Sequence, residues 1–181
     1  MIDWSVAWEG TKLIDRIDWA RENLEPIHTE YCVVYDDLNN DCASIMYPDP
    51  HCMAMLVHGN LMPPAWVKYK LRQDSYSPDF IDHKSLGNDK LLHDTKPIGP
   101  LTEEQAVEYI IVTDVPSEVW MNWDKGNRQR MVICRKDQLP ASREFRDAWS
   151  VDAPAKDPLS VEHKNSVPVF EFMTQREKVY A

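Results

Sequence analysis

Thirteen prolines stand in this 181-residue chain against only five glycines, and they cut it into short pieces. Proline lacks an amide hydrogen and fixes φ, so a helix interior or central strand does not run through one. Pro26 closes an N-terminal segment. Pro48 and Pro50 frame a turn, and Pro63-Pro64 fix an extended start. Pro78, Pro97 and Pro100 fall in a polar stretch. Pro116 and Pro140 end later segments, and Pro154, Pro158 and Pro168 fall in a tail. The chain is therefore expected to build short elements joined by turns. Its apolar supply is sufficient for a core, since 43% of residues are hydrophobic and seven are Trp, which argues against wholesale disorder.

Periodicity then assigns the pieces. Trp4 and Trp8 lie one turn apart, and Leu13, Ile14, Ile17 and Leu24 recur at helical spacing with Asp15, Arg16, Asp18, Arg21 and Glu22 between them. Gly10 separates a short first turn from a helix over about 11–24. Residues 31–35 are β-branched and aromatic, hence a strand. Residues 36–41 form a polar turn, 42–47 the returning strand, and 52–57 (CMAMLV) a third strand closed by Gly59-Asn60. These three make an antiparallel meander. Residues 65–71 alternate with the period of a strand, and 75–100 read as a long ordered loop, a class that is usually functional or packed on a partner. Thr102, Glu103, Glu104 and Gln105 spell a capping box. Ala106, Val107, Ile110 and Ile111 form the apolar face of the helix that follows, which should stop before Asp114-Val115-Pro116. Residues 128–136 read as a strand with basic ends, and 142–149 as a short helix with Phe145 and Trp149 at i, i+4.

The expected fold is α+β: an antiparallel sheet carrying an N-terminal helix and a capped helix packed on it, with an extended C-terminal arm. One domain spans 1–149, divided into helix plus meander (1–60), a loop-rich part (61–100) and a helix–strand module (101–149). A proline-containing linker and arm follow over 150–181. The arm holds Val167, Val169, Phe170 and Phe172 in a short alternating run. An isolated strand is unstable, so this one must add to a sheet, its own or a neighbour's.

Charge is distributed unevenly. The formal net charge is −10, yet residues 125–146 carry +5 and the remainder −15. Five of the seven cations in that segment are arginines: Arg128, Arg130, Arg135, Arg143 and Arg146. Arginine favours planar, bidentate pairing with carboxylates. The pairing is either internal or with an acidic neighbour, which includes a copy of the same chain. The negative surrounding field disfavours nucleic acid and anionic membranes. No run approaches the roughly 20 apolar residues of a membrane span, and the first residues lack the pattern of a secretory signal.

Motifs for catalysis are missing. There is no G-x-S-x-G, H-E-x-x-H, P-loop or G-x-G-x-x-G, and glycine scarcity argues against a phosphate-cradling loop. Asp37, Asn39 and Asp41 match the first ligand positions of a calcium loop, but Cys42 replaces its Gly and Pro48 its bidentate Glu. Cys32, Cys42, Cys52 and Cys134 form no C-x-x-C pair, so buried or half-buried thiols in a reducing compartment are expected. A metal site from Cys32, Cys42 and Cys52 with His51 or His58 is the sharper alternative, and a disulfide or reactive thiol another. His51, His58, His83 and His93 are expected to be scattered surface residues. No cofactor is called for.

A resemblance adds to this reading. Residues 101–149 run through E-E-Q-A-x-E-Y-I, D-V-P-x-x-V-W, N-R-x-R-M-V-I-C-R and L-P-x-S-R-E-F-R-D-A-W. This stretch resembles a module of small, mostly uncharacterised tailed-bacteriophage proteins that close on a similar R-x-F-R-x-A-W ending. Arg143, Phe145, Arg146, Ala148 and Trp149 carry the most specific part. Ser142 stands where that ending often has Asp, and 32 residues follow Trp149. The resemblance implies a phage origin and a place in the virion, with synthesis in the host cytoplasm. The expectation is a non-enzymatic structural or accessory subunit, tail- or head-associated, contacting other virion proteins or copies of itself. Its contact residues would be Arg128, Arg130, Arg135, Arg143, Phe145, Arg146, Trp149, Val167, Val169, Phe170 and Phe172. A soluble inhibitor of a host protein, or a small metal-dependent hydrolase near His51, Cys52 and His58, are the alternatives.

Overall fold

The computed structural model describes residues 2–36, 42–65, 67, 93–116, 119 and 131–139. Their elements run in the order α1 (Trp4–Ala7), α2 (Leu13–Asn23), β1 (Tyr31–Asp36), β2 (Ala43–Met46), α3 (Pro50–His58), α4 (Glu103–Asp114) and β3 (Met131–Arg135), with a 3-10 turn at Lys136–Gln138. The fold is α+β with an antiparallel sheet. The linker and arm over 150–181 and most of 66–92 lie outside the described residues.

α1 and α2 divide as the glycine suggests. Asp3 caps α1, its Oδ1 accepting from Ser5 N at 3.0 Å. Gly10 takes a positive φ of 73° between the helices. The first N–H of α2 is satisfied from afar, with Leu13 N donating to His93 Nδ1 at 2.9 Å. α2 turns most of its expected face inward, with Leu13, Ile17 and Leu24 against the core. Arg16 and Ala20 are buried, and Ile14 is 52% exposed. Arg16, expected among the solvated charges, is completely buried. Its long aliphatic stem lets it occupy a core position. Burial lowers its pKa from the ordinary guanidinium value.

The expected third strand of the meander is a helix. Residues 52–57 belong to α3. Asp49 is its N-cap, with Oδ1 accepting from Cys52 N at 2.8 Å, and Pro50 sits in its first turn. There the missing N–H of proline costs no hydrogen bond. Gly59 closes it with φ 76°, its N–H donating to Met55 O at 3.0 Å. Met, Ala and Leu are strong helix formers, and only Val57 in the run is β-branched. The start of 65–71 also departs from a strand, since Ala65 and Val67 are helical.

The third strand comes instead from the module over 101–149. β1 is central, with β2 on one side and β3 on the other, both antiparallel. Val33 pairs with Met46 and with Ile133, which sets both registers. Alternation gives the sheet two faces. Tyr31, Val33, Tyr35, Met46, Met131 and Ile133 enter the hydrophobic core. Cys32, Val34, Val132 and Cys134 alternate with them on the opposite face.

α4 runs through the core. Its capping box is formed, with Gln105 N donating to Thr102 Oγ1 at 3.3 Å and Thr102 N to Gln105 Oε1 at 3.0 Å. It ends at Asp114, just before Val115-Pro116. The expected face is buried, but so is every residue from Ala106 to Thr113, including Glu108 and Tyr109. A helix buried all round lies inside its domain rather than on it. α3 packs against α4 and α2 against α3. The segment 97–101 lines α3, with Leu101 N donating to Leu56 O at 3.1 Å and Asn60 N to Ile98 O at 2.7 Å. Tyr109 Oη donates to Pro63 O at 2.6 Å. No described helix is long and apolar enough to cross a membrane.

The approach of 97–101 leaves no room at Gly59. A Cβ there would lie 2.3 Å from Pro100 N, whereas one on Gly10 would meet nothing within 4 Å. Gly10→Ala is expected to cost about 1–2 kcal/mol for its left-handed backbone alone. Gly59→Ala adds the steric overlap and should exceed about 3 kcal/mol in urea unfolding. Burial pushes the Tyr109 hydroxyl well above the ordinary phenol value, with Cys52 and Asp114 acting in the same direction. The neutral phenol is thus favoured in the folded state. Its contribution is complete below the unfolded value of about 10 and is lost as pH rises through the folded value. Tyr109→Phe should flatten the alkaline limb of a stability-against-pH curve, read by chemical denaturation.

Candidate protein-binding surface

The end of the sheet where β1 begins and β3 finishes gathers the polar chemistry. Thr29 stands at its centre and is buried. Its Oγ1 donates to Glu103 Oε1 and accepts from Tyr31 N at 3.1 Å. Its carbonyl accepts from Lys136 Nζ at 2.6 Å. Lys136 N donates to Glu30 O at 2.8 Å, continuing the β1–β3 ladder by one residue. One threonine therefore joins the first turn of α4, the start of β1 and the end of β3. Glu103 also complements the positive end of the α4 dipole.

Arg135 sits at the rim of this junction. It is exposed, and its guanidinium carbon lies 6.0 Å from the centroid of the Tyr31 ring. That distance suits a cation–π contact of about 0.5–1 kcal/mol at an exposed site. Arg135 N donates to Gln138 Oε1 at 2.7 Å, which turns the chain out of β3 into the 3-10 turn. Among the described residues Arg135 forms no ion pair; the pair present there is Arg21–Asp18, at 3.8 Å on the surface of α2. The ring orients the guanidinium without neutralising it, so its fork remains able to receive a carboxylate.

Of the expected contact residues, Arg135 is the one placed by the described structure. Arg128, Arg130, Arg143, Phe145, Arg146, Trp149, Val167, Val169, Phe170 and Phe172 lie outside the described residues. Thr29 escaped the sequence reading because a single threonine before a strand carries no spacing signal. Glu103 was legible only as a helix-start carboxylate and Lys136 only as part of a basic segment.

The histidines are less scattered than expected. His58 packs edge-on to Trp19, ring centroids 5.7 Å apart, and Trp19 packs likewise on Trp4 at 5.3 Å. His58 Nδ1 lies 2.9 Å from Gly59 O, so that nitrogen carries the proton. His93 accepts from α2. Both side chains thus close helix ends, while His83 lies outside the described residues. The Cys32–Cys42–Cys52 constellation does not assemble either. Cys32 lies opposite Cys134, and no three described His, Cys, Asp or Glu side chains are grouped to hold a metal ion. None of the four cysteines is in a disulfide; Cys32 is buried and the others are half-buried.

Comparison with family models, with curated proteins and with solved structures finds no match.

The Thr29 junction gives a direct test of how the module is held. Thr29→Val removes a donor to Glu103 and an acceptor for Tyr31 N, and is expected to cost about 1–3 kcal/mol in urea unfolding. A double-mutant cycle of Thr29→Val with Glu103→Gln should give a coupling of roughly 0.5–3 kcal/mol, the range for contacting residues. Additive losses would mean that the pair does not act as a unit.

Proposed function

We propose that this chain is a non-enzymatic structural or accessory subunit of a bacteriophage virion, acting through contacts with other virion proteins or with copies of itself. The observation that carries the reading is the β3 rim. β3 hydrogen-bonds to β1 along one side, and no described strand pairs with its other side. An edge strand is a template for another strand. At its end stands Arg135, exposed and oriented by Tyr31. The alternating run over 167–173 supplies a strand suited to such an edge, on the same subunit or a neighbouring one. The −15 charge outside the basic segment supplies carboxylates for the arginines. The resemblance of 101–149 to the tailed-phage module supports the virion as the setting, with synthesis in the host cytoplasm.

The mechanism is assembly. Strand addition gives main-chain hydrogen bonds, and aromatic burial at Phe145, Trp149, Phe170 and Phe172 gives the apolar part. Arginine–carboxylate pairing sets orientation. Mass spectrometry of purified particles is expected to find the chain at stoichiometric copy number. Arg135→Glu and a chain lacking 167–173 should each keep the circular dichroism of the parent while losing at least about tenfold in incorporation, roughly 1.4 kcal/mol of contact energy. Particles that lack the protein altogether overturn the reading.

A further inference from the structure

Two cysteines 102 residues apart in sequence face one another across the central strand pair. Cys32 of β1 is the register partner of Cys134 of β3, and their sulfurs are 3.5 Å apart. The pair lies on the sheet face opposite the hydrophobic core, so the core helices do not separate the sulfurs. The ladder sets the backbone geometry. Glu30 and Lys136 are hydrogen-bonded partners, and Cys32 and Cys134 lie two residues further along each strand. Antiparallel pairing alternates with that period, so the cysteines occupy a hydrogen-bonded position with Cα atoms about 5.5 Å apart. A disulfide accepts Cα separations of about 4.4–6.8 Å. The Cβ atoms of a hydrogen-bonded pair lie toward the wide end of about 4.5–5.5 Å, and a disulfide needs about 3.5–4.5 Å, so closing the bond takes side-chain rotation and a small local approach of the two strands.

We propose that Cys32 and Cys134 form a dithiol–disulfide couple, closed by a peroxide into a cross-strand bond between β1 and β3. The two sulfurs have different roles. Cys134 is half-buried and Cys32 fully buried, so the oxidant meets Cys134 first. The Cys134 thiolate attacks the peroxide; a sulfur–oxygen bond forms, the oxygen–oxygen bond breaks, and the leaving hydroxide takes a proton to become water. The Cys32 sulfur then attacks the sulfenic sulfur. The sulfur–sulfur bond forms, the sulfur–oxygen bond breaks, and the departing hydroxyl leaves as a second water with the Cys32 proton. Two thiols are oxidised by two electrons and one hydrogen peroxide is reduced to two waters. In the dithiol state the Cys134 hydrogen bond and the nearby Lys136 charge hold the Cys32 pKa below the ordinary thiol value against the opposing effect of burial; of these the Lys136 charge persists once Cys134 is oxidised. The bond would tie the N-terminal half of the fold to the module over 101–149 along strands that are already paired.

The test treats the native full-length chain with hydrogen peroxide at a few equivalents, quenches with an alkylating reagent, and maps the peptides by mass spectrometry without reduction. The expected result is loss of two titratable thiols and a Cys32–Cys134 cross-link within one chain. That cross-link should form equally in Cys42→Ser/Cys52→Ser and be absent in Cys134→Ser. Thermal unfolding of the oxidised parent should shift upward and return on reduction. A sulfinic acid on Cys134 with Cys32 still reduced, a bond joining two chains, or four thiols surviving oxidant would each overturn the proposal. The mapping uses the unaltered chain, so it stands even where a serine variant fails to fold.

Discussion

Strand β1 is hydrogen-bonded on both sides, and this double pairing organises the structure. One partner, β2, follows after a short turn. The other, β3, arrives from about a hundred residues later. Val33 pairs with Met46 on one side and Ile133 on the other, so one core residue fixes both registers. A one-residue slip of β3 against β1 would turn Met131 and Ile133 away from the core and replace them with Val132 and Cys134. The helices depend on that choice of face, because α4 is buried by what packs around it. Thr29 then fastens the α4 start to the ends of β1 and β3 with three hydrogen bonds.

The same pairing produces both features behind the proposed roles. It leaves β3 at an edge among the described residues, with Arg135 at its exposed end. It also sets Cys32 opposite Cys134. Neither depends on a pocket, and no convergent ligand set appears among the described residues. The two readings are separable: assembly needs the β3 edge and the arginines, while the thiol couple needs only the β1–β3 register.

Much of the local structure was legible in the sequence. The break at Gly10, the strands at β1, β2 and β3, the capping box at Thr102 and the helix end near Asp114 all follow from short-range rules. α3 was misread although its signals were present, with Asp49 at the N-cap, Pro50 in the first turn and Gly59 at the C-cap. The apolar run between them has no polar face, and periodicity does not distinguish a buried helix from a buried strand. The caps decide that case.

The sequence by itself determined most of the helix and strand segments, because capping, proline and β-branching act within a few residues. It also determined the uneven charge and so the basic segment that contains β3. Only the tertiary structure decided that β3 pairs beside β1, that Arg16 lies in the core while Ile14 faces out, and that His93 caps α2 from 80 residues away. It alone brought Cys32 to Cys134. These outcomes depend on which surfaces meet, and pairing across a hundred residues leaves no periodic trace in the chain.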